Sequence, residues 1–272
     1  MRHLVRLGAG LSEPLGDSVS NQQNDKDKTA GKTVAAGFEK PSLPKRFYKD
    51  VTVSEEDGRA GIFLDGRPVR TPGKAALAVP SAALAEAIAD EWRAQGERID
   101  PHTMPLTKLI NSAIDGVVGQ EAAVVDDIVA HAGSDLLCYR ASGPEGLLAL
   151  QAEAWDPVLA WAAGALGAPL SLAEGVIHVP QPETSLAALR AEIEPLDALK
   201  LAALHVMTTL TGSALLPLAV ARGELSPDAA WDAAHVDEDW QISRWGEDAE
   251  AKQRRKNRKA DFDAAARVLA LS

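Results

Sequence analysis

The sequence predicts an α+β protein, a small β-rich N-terminal domain followed by a larger, mostly α-helical domain. Three observations lead there. Short β-rich runs such as Phe47 to Val53 and RAGIFL lie ahead of Pro80, turn dipeptides separate them, and from Pro105 onward apolar residues recur at helical spacing. With 272 residues, 46% of them apolar, the chain can bury a substantial core. The expected division is a tail over 1–44, a small mixed β domain with one helix over 45–104, and a helical domain over 105–272.

The tail starts with the basic MRHLVRLGAG and continues into NQQNDKDKTAGKT, which is polar, charged and poor in anything that packs, so disorder is expected. The basic start resembles a targeting peptide, but Glu13, Asp17, Asp25 and Asp27 are unusual for one. The cytoplasm is therefore the expected location, or the mitochondrial matrix if the tail is a transit peptide. The GAG has no strand before it and makes no dinucleotide fingerprint.

Order begins near PSLPKRFYKDVTV, where Phe47, Val51 and Val53 form a β-rich run and EEDGR turns the chain back. RAGIFLDGRPVRTP then reads as two short strands meeting at Asp65-Gly66. A type I′ hairpin turn needs positive φ at both central positions, which Asp-Gly tolerates, so Gly66 is assigned to fold integrity. Pro80 and Ser81 open a helix: Ser81 can cap it, and Leu84, Ala85, Ile88, Ala89 and Trp92 share one face. Gly96 is expected to close it. Trp92 lies on the buried stripe, flanked by Glu91 and Arg93, and is also assigned to fold integrity.

Past the extended IDPHTMP, Leu106, Leu109, Ile110, Ala113, Ile114 and Val117 make one apolar stripe, and Val124, Val125, Ile128 and Val129 another. Further helices are expected over PEGLLALQAEAWDPVLAWAAGALG, SLAALRAEI, PLDALKLAALHVMTTLTG and SALLPLAVARG, with GVIHVP as the only later strand. Trp155 and Trp161 sit in a strongly apolar helix and are assigned to packing. The remainder, from SPDAAW to ARVLA, is expected to form one or two long helices broken at Gly246.

Net charge is −11, which argues against a surface built throughout to grip nucleic acid or anionic lipid. No apolar run reaches the roughly 20 residues needed to cross a bilayer, so a soluble protein is expected. The single cysteine, Cys138, excludes an internal disulfide and fits a reducing compartment. Between Leu137 and Tyr139 it reads as a buried filler rather than a nucleophile. Asp127 and His131 are four apart, as metal ligands can be, but no second ligand pair follows and an exposed ion pair is the better reading. No nucleophile elbow, phosphate loop or zincin helix is present, and no cofactor is expected. The run KQRRKNRK, Lys252 to Lys259, could hold phosphates. It follows EDAEA on an expected helix and carries no interleaved aromatics, so a solvated, ion-paired face is favoured over an acidic partner or nucleic acid.

Six tryptophans stand in a chain with 4% aromatics, most of them beside charge or amide groups: DEW, EAWDP, DAAW, DEDWQ, SRWG. That pairing of large apolar area with polar neighbours is enriched at binding surfaces. Trp240 and Trp245, among Asp237, Glu238, Asp239 and Arg244, fit such a surface or an interhelical polar joint.

FYKDVTV, LDGRPVRTP, LAEAIADEWRAQ, MPLTKLINSAID, DLLCYR, WDPVLAW and WQISRWG, in this order, resemble the family of F-type ATP synthase assembly chaperones that act on the alpha subunit of the catalytic head. The similarity runs from about Phe47 to Trp245. It implies a chaperone without catalytic activity or cofactor, which holds the unassembled alpha subunit until the beta subunit replaces it. On that resemblance Glu238, Trp240, Gln241, Arg244 and Trp245 are assigned to the client-binding surface. The free protein is expected to be monomeric, because no long heptad demands otherwise. A second reading is a small-molecule enzyme with an interdomain cleft faced by Asp65, Arg67 or Arg70, and a third is a nucleic-acid accessory factor using the basic run.

Overall fold

The structure is a computed structural model that describes residues 43–272, Val176 excepted; the expected tail thus lies almost wholly outside the described residues. Strands β1 (Val51–Glu56) and β2 (Arg59–Leu64) pair antiparallel, with Val51 opposite Leu64 and Glu56 opposite Arg59. Strand β3 (Arg67–Pro68) returns along β2 through Asp65 (φ 48°) and Gly66 (φ 76°), the positive-φ pair that the hairpin reading required. Strand β4 (Ala78–Val79) pairs with the start of β2, so β2 is the centre of a four-stranded sheet. Its alternate residues Ala60, Ile62 and Leu64 are buried, and helix α1 (Ala82–Arg93) packs on the sheet with Leu84, Ala85, Ile88 and Ala89 inward. Ser81 caps α1 as expected, its side chain accepting from the Leu84 amide at 3.3 Å. The helix ends at Ala94, two residues before Gly96, because Arg46 holds the chain there, donating to the carbonyls of Arg93 at 3.4 Å and Gln95 at 2.5 Å.

The helical part begins with α2 (Pro105–Ser112), continued by a π turn over Ala113–Val117, and α3 (Glu121–Ala132). Strand β5 (Tyr139–Arg140), helix α4 (Glu145–Ala165), strand β6 (Ala173–Glu174) and helices α5 (Glu183–Ile193), α6 (Ala198–Thr211) and α7 (Leu215–Ala221) follow. The chain closes with α8 (Pro227–Ala234), α9 (Val236–Trp245) and α10 (Ala249–Leu271). Two expectations are corrected. Two later strands, β5 and Ala173–Glu174, pair parallel, and the described residues of GVIHVP form none. Ile177 is 74% exposed, so no burial stabilises an alternating strand there. The last segment forms three helices rather than two, because the chain turns at His235 (φ −116°) as well as at Gly246 (φ 84°).

Helix α6 packs against α10, α3 and α7. One apolar core runs from Ile62 and Ile88 beside the sheet to Ile110, Leu204 and Phe262 among the helices. Two buried or half-buried carboxylates complete it. Glu91 of α1 accepts from the amides of Leu106 and Thr107, both at 2.8 Å, and from the Thr107 hydroxyl at 2.7 Å. It thereby satisfies amides that the first turn of α2 cannot pair and sits at the positive end of that helix. Burial raises the Glu91 pKa, while the Thr107 and Leu106 donors act against the rise. Asp135, fully buried, does the same for α7, accepting from Ala214 at 2.8 Å and Leu215 at 3.1 Å.

Trp92 is half-buried and touches both the main core and a smaller cluster of Tyr48, Leu64, Ile99 and Met104. Its ring meets Tyr48 edge-on at 5.7 Å, and the Tyr48 hydroxyl donates to the Trp92 carbonyl at 2.7 Å.

Replacing Glu91 by Ala leaves the α2 amides unpaired and should lower the unfolding free energy by about 2–3 kcal/mol, measured by urea titration. Trp92→Arg puts a cation into this apolar joint and should cost about 2–5 kcal/mol; an unchanged Tm would refute the packing role.

Candidate functional site

The residues assigned to a binding surface all fall on α9. None of its ten residues is buried. Asp237, Glu238 and Asp239 occupy its first turn, where carboxylates suit the helix dipole and disfavour an apolar interface with the body. Helical spacing puts Glu238, Gln241 and Trp245 on one face and stacks Trp240 under Arg244 on the neighbouring face. Trp245 is 79% exposed, Gln241 and Arg244 are exposed, and Glu238 and Trp240 are half-buried.

Helix α9 is held to the body by partial burial, with Val236 packed on the main core, and by specific contacts. Gln151 of α4 donates to Asp237 at 2.7 Å, and Arg255 of α10 pairs with Asp239. The Trp240 indole lies against Gly146: a Cβ there would stand 2.8 Å from Trp240 Cη2, so any larger residue would push the ring away. The Arg244 guanidinium covers the ring at 4.5 Å. At the α8–α9 joint, buried His235 stacks on Trp231 at 4.0 Å, and its Nδ1 lies 2.7 Å from the Trp231 carbonyl. That contact assigns the ring proton to Nδ1. Burial lowers the His235 pKa, and Glu238 approaches Nε2 only at 3.8 Å. Trp155 is fully buried and donates from Nε1 to the Ala233 carbonyl at 2.7 Å, tying α4 to the same joint.

Beside α9 lies a groove that sequence reasoning missed, an open channel of about 640 Å³ between α4, α8 and α9. Leu150, Ala154, Val158, Ala233 and Val236 line it with apolar atoms, Trp240 contributes a wall, and Glu153, Asp232 and Asp239 stand along it. The one sequence trace of it is the WDP of α4. Pro157, which lines the groove, lacks an amide and leaves the Glu153 carbonyl without its helical donor.

Most of the other candidates have partners within the fold. Asp65 accepts from the Lys49 and Asp50 amides at 3.0 and 2.8 Å, which lowers its pKa and braces the hairpin. Arg67, Arg70 and Trp92 do border a hollow of about 550 Å³, but Arg70 is engaged with the Lys74 carbonyl at 2.9 Å. Asp127 links α3 to α6, 2.7 Å from His205 and 3.8 Å from His131; no group of three His, Cys, Asp or Glu among the described residues is placed to hold a metal. Cys138 is buried and its thiol is pushed up to about 12 by that burial and by nearby Asp135, so it carries no thiolate at neutral pH. In the basic run, Lys252 pairs with Glu247, Arg254 with Glu250, Arg255 with Asp239, and Lys259 with Asp228 and Asp263. No described helix is long and apolar enough to cross a membrane.

A charged helix that displays tryptophan beside an open apolar groove is the kind of surface with which a chaperone, a protein that works by holding another protein, could act. Its relatives give that class a family. Residues 45–163 match the family model described as ATP12 chaperone protein. The crystal structure of a protein from Agrobacterium tumefaciens, described as a chaperone by inference, is 51% identical, covers 84% of this chain and 86% of its own, and has a TM-score of 0.81. Atp12 from Paracoccus denitrificans is 46% identical over 84% of this chain and 98% of its own, with a TM-score of 0.78. The curated mitochondrial protein atp12 of Schizosaccharomyces pombe is 26% identical over 216 residues, 74% of each chain. The chain belongs to the ATP12 chaperone family, the family its ordered motifs resemble, and its partner is a protein client.

The Trp240–Gly146 contact makes a direct prediction. Gly146→Val should displace the indole and raise its accessibility to acrylamide quenching, with helix content preserved in far-UV circular dichroism; unchanged quenching relative to a Trp240→Phe control would contradict the contact.

Proposed function

We propose that this chaperone binds the unassembled alpha subunit of the F-type ATP synthase catalytic head, keeps it from aggregating, and yields it to the beta subunit without catalysing a reaction. The observation that carries this reading is α9, a helix with no buried residue that presents Glu238, Gln241 and Trp245 on one face beside Trp240 and Arg244. An interface between obligate subunits is large and apolar, and one left bare invites self-association. A temporary cover needs enough apolar area to compete with self-association and enough charge to stay dispersed when empty. Exposed Trp245 supplies the first, and the first-turn carboxylates with a net charge of −11 supply the second. Release then follows from competition, since the beta subunit offers the alpha subunit a larger permanent interface. In this reading Trp92, Gly66 and Trp155 serve the fold, with Trp155 fixing the joint from which α9 projects, and the free protein is a monomer.

Co-expression should raise the soluble yield of the alpha subunit. Glu238→Lys should reduce capture of that subunit in a pull-down while Tm stays within about 2 °C of the parent, because a half-exposed charge costs little in folding whereas a mismatched one at an interface does not. Equal capture by variant and parent would remove Glu238 from the client surface.

A further inference from the structure

We infer that the groove between α4, α8 and α9 receives a client segment whose apolar side chains are flanked by lysine or arginine. This deepens, and rests on, the proposed chaperone function. Three features of the groove point to the occupant's chemistry. Its floor is apolar and built from small residues: Ala154, Val158, Ala233 and Val236 leave open the width that larger side chains would fill, and Leu150 beside them is 42% exposed. Apolar side chains of the client therefore have both room and a surface to cover.

The second feature is the sign of the rim. Glu153 and Asp232 line the groove, are exposed, and have no ion-pair partner among the described residues; Asp239, further along, is already engaged by Arg255. This contrasts with the helix just beyond, where most carboxylates and cations are matched. Two unmatched carboxylates on opposite walls, one from α4 and one from α8, favour an occupant bearing positive charge and oppose an acidic one.

Third, the hydrogen bonding of the helix backbone is interrupted at this site. Pro157 has no amide, so the Glu153 carbonyl lacks its i+4 donor, and both residues line the groove. A carbonyl without its helical donor suits a donor-bearing segment, with lysine, arginine or a free backbone amide, and does not suit a carboxylate. The ten residues of α9 are about 15 Å long, enough for roughly three turns of a client helix or a short extended stretch.

The test uses the full-length protein and purified alpha subunit. Three variants are compared with the parent: Glu153→Lys with Asp232→Lys to reverse the rim, Glu153→Gln with Asp232→Asn to neutralise it, and Ala229→Trp to fill the groove from exposed α8. A photo-crosslinking amino acid placed at Ser243, also on the groove, identifies the occupant by mass spectrometry. Affinity should fall about tenfold or more on reversal, less on neutralisation, and about tenfold on filling, with each variant's Tm within about 2 °C of the parent. The crosslinked client peptide should carry apolar residues next to Lys or Arg. The inference is overturned if the parent captures the alpha subunit and the reversed and filled variants capture it equally well. It is also overturned if the crosslinks map to an acidic client segment, to this chain's own tail, or to a second copy. If the parent itself captures no alpha subunit, the proposed function fails and the groove inference falls with it.

Discussion

The carboxylate of Glu91 is the point on which the arrangement of the molecule turns. It leaves α1, the helix that covers the sheet, and accepts three hydrogen bonds from the opening residues of α2, the first of the helical part. A carboxylate in this position does two jobs at once. It pairs amides that no earlier turn can reach, and it opposes the dipole of the helix it caps. Since α2 also packs on α10 and α6, fixing its start relative to α1 fixes the sheet against the rest of the core. Asp135 repeats the device for α7. Two acidic side chains reaching across the chain thus help to position the helical part.

This division of labour explains why α9 can remain uncovered. A core residue stabilises through the area it removes from water, on the order of 1.5–3 kcal/mol for a large side chain, and α9 contributes no fully buried residue. It is located by the Gln151–Asp237 hydrogen bond, the Asp239–Arg255 ion pair and the seat of Trp240 on Gly146. Trp155 and His235, both buried at the α8–α9 joint, set its direction. The anchored part of α9 therefore lies toward its start, and the exposed indole of Trp245 at its far end.

What the sequence revealed, and what it concealed, follows from the range of each interaction. The Asp65-Gly66 hairpin, the Ser81 cap and the apolar stripes of α1 to α3 are local patterns, set by residues within a turn or two, and they were legible. The ion-paired run from Lys252 was legible in part for the same reason: Lys252 and Arg254 pair with Glu247 and Glu250 close by in the chain, whereas Arg255 and Lys259 also reach Asp239 and Asp228 across the fold. The Glu91 cap was not, because its acceptor and donors lie fifteen and sixteen residues apart and no capping spacing links them. Strand Ala173–Glu174 is two residues long and exists only by pairing with Tyr139–Arg140, which no periodicity announces. The α9 residues were picked out by composition and motif resemblance, while the groove beside them is formed by three helices meeting and has only Pro157 as a trace in the chain.

The seat of Trp240 on Gly146 has a further consequence for how such chains can diverge. The indole occupies the volume that any side chain at position 146 would claim, so the sizes allowed at the two positions are linked although ninety-odd residues of chain lie between them. Drift toward bulk at 146 moves the indole unless a matching loss occurs at 240. Among family members the two sites should vary as a couple, and a lone enlargement at 146 marks a lineage in which this helix has been re-hung.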